Sequence, residues 1–150
     1  MTRKILLDTN LIIAAFDNKD SKAIVQLTNL LSDEGVAFAI SPLIRYEVLR
    51  GVSFSNNENY DSLKSILNGF EEFDISRDIA TLSSDLFRFS QSKKGDGKNA
   101  LVNKRSFDVF HLATAKCNEL ELCSNDGDLG KLENLYQEWR SSNQNDTPDY

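Results

Sequence analysis

Residues 4–12 read KILLDTNLI, and the change of character inside that stretch decides the fold class. Residues 4–7 are short, mostly apolar and run straight into Asp8, which is the pattern of a buried strand delivering an acid at its end. The same pattern returns downstream. Residues 36–40 (VAFAI) make a second strand that meets Ser41-Pro42, a helix start with serine as N-cap and proline in the first turn, and Gly51 stands where that helix should be capped. Residues 73–75 predict a third strand, and residues 120–123 predict a last one that runs into the acidic turn SNDGDL. Helical spacing fills the intervals. Ala23, Ile24, Leu27, Leu30 and Leu31 mark a helix that Gly35 ends, while 53–61 is a polar connector before Leu63, Ile66, Leu67 and Phe70. Ile79, Leu82, Leu86 and Phe89 form another stripe, and Ser106 starts a helix carrying Phe107, Phe110, Ala113 and Cys117. Strands alternating with helices predict an α/β fold with a central, mostly parallel sheet flanked by helices.

With 150 residues there is room for one domain, read here as residues 1–140, followed by a polar and flexible tail at 141–150. Apolar residues at 40% and charged residues at 27% describe a globular chain, and a net charge of −6 excludes a generally basic nucleic-acid binder. The longest apolar runs, 11–16 and 36–40, fall far short of the ~20 residues a membrane span needs. No secretory leader precedes Asp8, so the chain is expected in the cytoplasm. Cys117 and Cys123 with the lone His111 are too few for a Cys/His zinc site, and both thiols are expected to be reduced and buried.

In a parallel sheet, whatever follows each strand gathers along one edge, where open α/β sheets bind their ligands. Asp8, Glu47, Asp108, Asp126 and Asp128 all fall there: two places directly after strands, and two in helices that begin at that edge. Each has an ordinary reading. Asp8 could cap a turn, Glu47 could pair with Arg50, Asp108 suits a helix N-terminus, and Asp126 and Asp128 flank Gly127 in a turn. Together they repel unless a cation neutralises them, and an oxygen-rich site suits Mg²⁺ or Mn²⁺. His111 is the one neutral imidazole within reach, although a lone histidine on an apolar helix face reads first as a packing residue.

The order LLDTNLI (6–12), SPLIRYEVLRG (41–51), SFDVFHLATA (106–115) and LCSNDGDL (122–129) resembles PIN-domain ribonucleases, and among them the VapC-type toxins of toxin–antitoxin pairs. The resemblance spans residues 4–135. It implies a PIN-like domain in which Asp8, Glu47 and Asp108 are metal ligands and catalytic residues. The last turn adds a fourth acid, Asp126 ahead of Asp128. Ser124 would orient substrate or a water, and Thr9 and Asn10 would support Asp8 and its neighbours. The implied activity is Mg²⁺- or Mn²⁺-dependent hydrolysis of RNA, leaving a 5′-phosphate and a 3′-hydroxyl. The implied partners are a cognate antitoxin laid across the acidic groove and a second copy of the chain in a homodimer.

An acidic protein that cuts a polyanion needs a cationic surface. Residues 93–105, read as a loop, hold Lys93, Lys94, Lys98, Lys104 and Arg105 against Asp96, a local charge of +4, and Arg45 and Arg50 flank Glu47. Single-stranded or structured-loop RNA is the expected substrate, because its bases are accessible. An aspartyl-phosphate phosphatase would want a second aspartate at Asn10, and neither glycine-rich nucleotide motif occurs. The remaining alternative is a catalytically inactive PIN scaffold that binds protein or RNA.

Overall fold

The structure is a computed structural model that describes residues 2–94, 106–124 and 129–145. Along the chain, β1 (Arg3–Leu7) is followed by α1 (Thr9–Ile12), a π-helical turn (Ile13–Asp17) and α2 (Ser21–Leu31). Then come β2 (Val36–Ile40), α3 (Pro42–Arg50), α4 (Asn57–Asn68), β3 (Glu71–Glu72) and α5 (Arg77–Lys94). The last described elements are α6 (Ser106–Cys117), β4 (Glu121–Cys123) and α7 (Leu129–Asn145). The four strands are ordered β3-β2-β1-β4 and every pairing is parallel.

The register explains why β1 reads as apolar. It is central, with Leu6 opposite both Ala39 of β2 and Leu122 of β4, and Ile5, Leu6 and Leu7 are buried. A strand covered on both faces has no solvent side to alternate with. Gly35 (φ 85) makes the left-handed turn that feeds β2, and its carbonyl accepts from Arg3 N at 2.6 Å. One apolar core joins β1 and β2 to α1, α3 and α4 through Leu11, Ile12, Ile40, Ile44, Leu63 and Leu67. A second cluster of Leu86, Val109 and Leu112, packed by Tyr136 and Trp139, ties α5, α6 and α7 together. The site described below sits on elements from both.

Several boundaries differ from the sequence reading. The third strand is Glu71–Glu72 rather than 73–75, with Phe73 N continuing the ladder to Ile40 O at 2.9 Å. Helix α4 begins at Asn57, inside the stretch read as connector, because the Asn56 side chain caps it by accepting from Asn59 N. Helix α5 extends through Lys93 and Lys94, so the first two cations of the basic stretch are helical. The Lys93 ammonium pairs with Glu138 of α7. Lys98, Lys104 and Arg105 lie outside the described residues. Helix α7 continues past Arg140 to Asn145, into the stretch read as a tail. Both cysteines are free thiols, but Cys117 is exposed and Cys123 half-buried. Among the described residues, no helix is long and apolar enough to cross a membrane.

Candidate active site

The C-terminal edge of the sheet is closed by a backbone hydrogen bond from Asp8 N to Cys123 O, 2.9 Å, which fastens the end of β1 to the end of β4. Asp8 occupies the N-cap position of α1 with extended backbone, yet its side chain makes no capping bond. The carboxylate is turned elsewhere: the Ser124 hydroxyl donates to its Oδ2 at 2.9 Å. The capping explanation for Asp8 therefore fails, and Ser124 is a partner of Asp8 itself.

Glu47 reaches the same edge from α3. That helix is fixed at its start by Ser41, whose buried hydroxyl accepts from Ile44 N at 3.2 Å, and at its end by Gly51. Two donors converge on Oε1 of Glu47: the Thr9 hydroxyl at 3.0 Å and the His111 Nε2 at 2.6 Å. Oε2 lies 4.0 Å from Arg50 Nη2. Burial raises the Glu47 carboxyl, and the His111 bond and charge, the Thr9 hydroxyl and Arg50 more than reverse it, so the net shift is downward. Thr9 thus supports Glu47 rather than Asp8, and Asn10 is exposed on α1.

Asp108 stands in the first turn of α6, where the helix dipole favours a carboxylate, and His111 follows one turn later on the same face. An oxygen of Asp8, an oxygen of Asp108 and a ring nitrogen of His111 all lie within 4.8 Å of one another. His111 is only 1% exposed, and its Nδ1 has no hydrogen-bond partner among the described residues. A buried imidazole with a carboxylate on one nitrogen and nothing on the other has the donor pattern of a metal-site histidine oriented by an acid. Two carboxylates and an imidazole suit a divalent cation such as Mg²⁺ or, with the nitrogen, Mn²⁺. The residues present fit such an ion.

The structure therefore brings Asp8 and Asp108 together, with Ser124 on Asp8, and links Glu47 to the pair through His111 and Thr9. Asp126 and Asp128 lie outside the described residues. His111 is the residue that a reading of the sequence as helix packing undervalues. Its signal was its position three residues after Asp108, on a face that also has to meet the sheet edge. Of the two arginines near Glu47, Arg45 is turned away, bonded to Glu72 at 2.7 and 3.0 Å and to Asn68 at 2.8 Å. Arg50 remains at the site.

Comparison with known proteins adds to this geometry. A family model described as PIN domain matches residues 5–135. No curated protein matches the chain significantly. Among solved structures, the chain is similar to VapBC2 from Rickettsia felis bound to a DNA fragment from its promoter, at 22% identity and TM-score 0.64, covering 85% of this chain and 92% of that one. It is similar to a toxin–antitoxin complex from Klebsiella pneumoniae, at 25% identity and TM-score 0.61, covering 81% and 86% of the two chains. It is also similar to DNA-bound VapBC from Salmonella typhimurium, at 20% identity and TM-score 0.58, covering 79% and 83%.

Proposed function

The chain belongs to the PIN-domain family, and from that premise we propose that it is a divalent-metal-dependent endoribonuclease of the VapC type, the toxin of a toxin–antitoxin pair. The observation that carries this reading is the meeting of Asp8, Asp108 and His111 within 4.8 Å at the ligand-binding edge of a parallel sheet. The similarity to VapBC complexes supports the toxin assignment and a protein antitoxin as partner.

In this proposal Asp8 and Asp108 hold the cation, with Asp126 or Asp128 completing the set, and Mg²⁺ or Mn²⁺ is the ion. When bound, the ion supplies charge neutralisation at the scissile phosphate and lowers the pKa of an attacking water. The chain's own groups do the positioning. Ser124 fixes Asp8 by donating to Oδ2. Glu47, kept ionised by its donors, fixes the His111 ring. The substrate is single-stranded or structured-loop RNA, and Lys94, Lys98, Lys104 and Arg105 provide backbone contacts beyond the site. The homodimer and a cytoplasmic setting complete the proposal.

The test is cleavage of mixed total RNA by the wild type beside Asp8→Asn and Asp108→Asn, with Mg²⁺, Mn²⁺ or EDTA. Metal-dependent cutting that falls at least ~100-fold in either variant is the expected result, in line with removal of a ligand that stabilises transition-state charge. Equal cutting by all three proteins assigns the activity to another site and defeats the reading.

A further inference from the structure

Two rings stand beside the carboxylates and have no part in the chemistry so far. Tyr46 immediately precedes Glu47 on α3, and Phe107 immediately precedes Asp108 on α6. Arg50 bridges the two helices: its guanidinium carbon lies 5.3 Å from the Tyr46 ring centre and 5.7 Å from that of Phe107. The same guanidinium is 4.0 Å from Glu47 Oε2, a distance too long for a hydrogen bond, and Arg50 donates none among the described residues. Tyr46 is 55% exposed, and half of the Arg50 side chain is open to solvent. A large exposed aromatic ring beside an undersatisfied, pre-oriented cation has the features of a surface built to be covered.

We propose that Arg50 with Tyr46 and Phe107 forms a subsite for one unpaired nucleotide of single-stranded RNA, in which the base stacks on the exposed ring and the guanidinium takes the adjoining phosphate. This rests on the nuclease reading above and deepens it. Stacking on an aromatic ring requires a base whose face is free, which an unpaired strand has and a duplex does not. The planar fork of Arg50 matches phosphate geometry, and its two ring contacts hold it oriented before substrate arrives. Position gives the subsite its use. Arg50 lies 4.0 Å from Glu47, Glu47 is bonded to His111, and a ring nitrogen of His111 is within 4.8 Å of oxygens of Asp8 and Asp108, so the subsite adjoins the Asp8–Asp108 group through Glu47. The arrangement selects a flexible strand at the mouth of an otherwise anionic site. Arg45, saturated by Glu72 and Asn68, makes no such offer.

The experiment uses the full chain carrying Asp8→Asn, in EDTA, with short oligoribonucleotides that contain 2-aminopurine at successive positions. Tyr46→Ala, Arg50→Lys and Phe107→Leu are added to that background, and thermal melts confirm that each still folds. The parent is expected to quench 2-aminopurine at one position, and Tyr46→Ala to abolish that quenching and weaken binding about 5- to 10-fold. Arg50→Lys keeps the charge but loses the planar stack, and is expected to weaken binding about 5-fold. In the cleavage-competent protein, Tyr46→Ala should raise KM by a similar factor while kcat stays within about twofold. Unchanged quenching and affinity in all three variants, beside intact Asp8-dependent cleavage, overturn the subsite and leave the nuclease standing. No RNA binding by the parent and no cleavage by the wild type overturn both. An oligo-glutamate peptide that displaces the RNA and loses affinity equally on Tyr46→Ala assigns the surface to an acidic protein segment and overturns the RNA assignment.

Discussion

Replacing His111 by alanine removes the strongest of the influences that hold Glu47 ionised and leaves only the Thr9 hydroxyl and Arg50 to oppose its burial. The Glu47 carboxyl should then rise, and stability at pH 7 should fall by about 1–3 kcal/mol in urea denaturation, the cost of stranding a buried polar partner. The pH dependence has a definite sign. Because Glu47 is held below its ordinary value of 4.5, its contribution is fully present above that pH and is lost as pH falls through the lowered folded value. Glu47→Gln should flatten that acid limb, and an unchanged limb would show that Glu47 is not the group responsible. At this scale the sequence is legible in its acids and not in its histidine. Asp8 and Asp108 announce themselves by following a strand and opening a helix. His111 sits between Phe110 and Leu112 on an apolar face, and nothing local reveals that Glu47, 64 positions away, closes on its ring.

Helix α3 shows what a cap does for a site. Ser41 satisfies an N-terminal amide of the helix that carries Glu47, Tyr46 and Arg50, and it does so in the core, at 1% exposure. Ser41→Ala should cost about 1 kcal/mol, or ~2–4 °C in the melting temperature for a chain of this length, with Ser41→Thr restoring most of it. A melt of Ser41→Ala indistinguishable from wild type would mean that water replaces the hydroxyl. Both caps of α3 were legible, because serine before proline and a glycine at the far end have local causes. The third strand was not. Propensity favours residues 73–75, but only Glu71 and Glu72 pair with β2, opposite Ala39 and Ile40. Those acids are acceptable at a sheet edge because Lys4 and Arg45 pair with them. Phe73 adds one backbone hydrogen bond to that edge and sets its ring under Lys4, 5.5 Å from the ammonium. The start of the basic stretch misled for a related reason: the Lys93 ammonium pairs across to α7, so tertiary contact carries α5 beyond its apolar stripe.

For the whole molecule, a charge of −6 with carboxylates gathered at one edge means that a divalent cation should bind the folded state and not the unfolded one. Mn²⁺ at a hundred times its dissociation constant should add about 2.7 kcal/mol of stability, and Asp8→Asn, which keeps an acceptor for Ser124, should abolish the gain while melting no lower than wild type in EDTA. A thermal shift that survives in Asp8→Asn would place the ion elsewhere. Neutralising Lys98 and Lys104 should lower the salt dependence of RNA binding by ~0.7 for each phosphate that a lysine no longer neutralises, whereas an unchanged slope would remove that stretch from binding. The parallel architecture was legible at this scale because short apolar segments alternated with helical ones. The order β3-β2-β1-β4 has no local signal, since it is set by which crossover lands on which side of β1.

That order has a consequence in time. The first strand and the last lie side by side, and Asp8 takes its hydrogen bond from a serine 116 positions later. During synthesis, therefore, the amino-terminal portion waits with one edge of its central strand unclaimed and its acid unsupported. A ribosome-bound fragment holds no finished cleft, and neither does a protein clipped before β4. The activity proposed above is thus withheld until the chain has been made through Ser124.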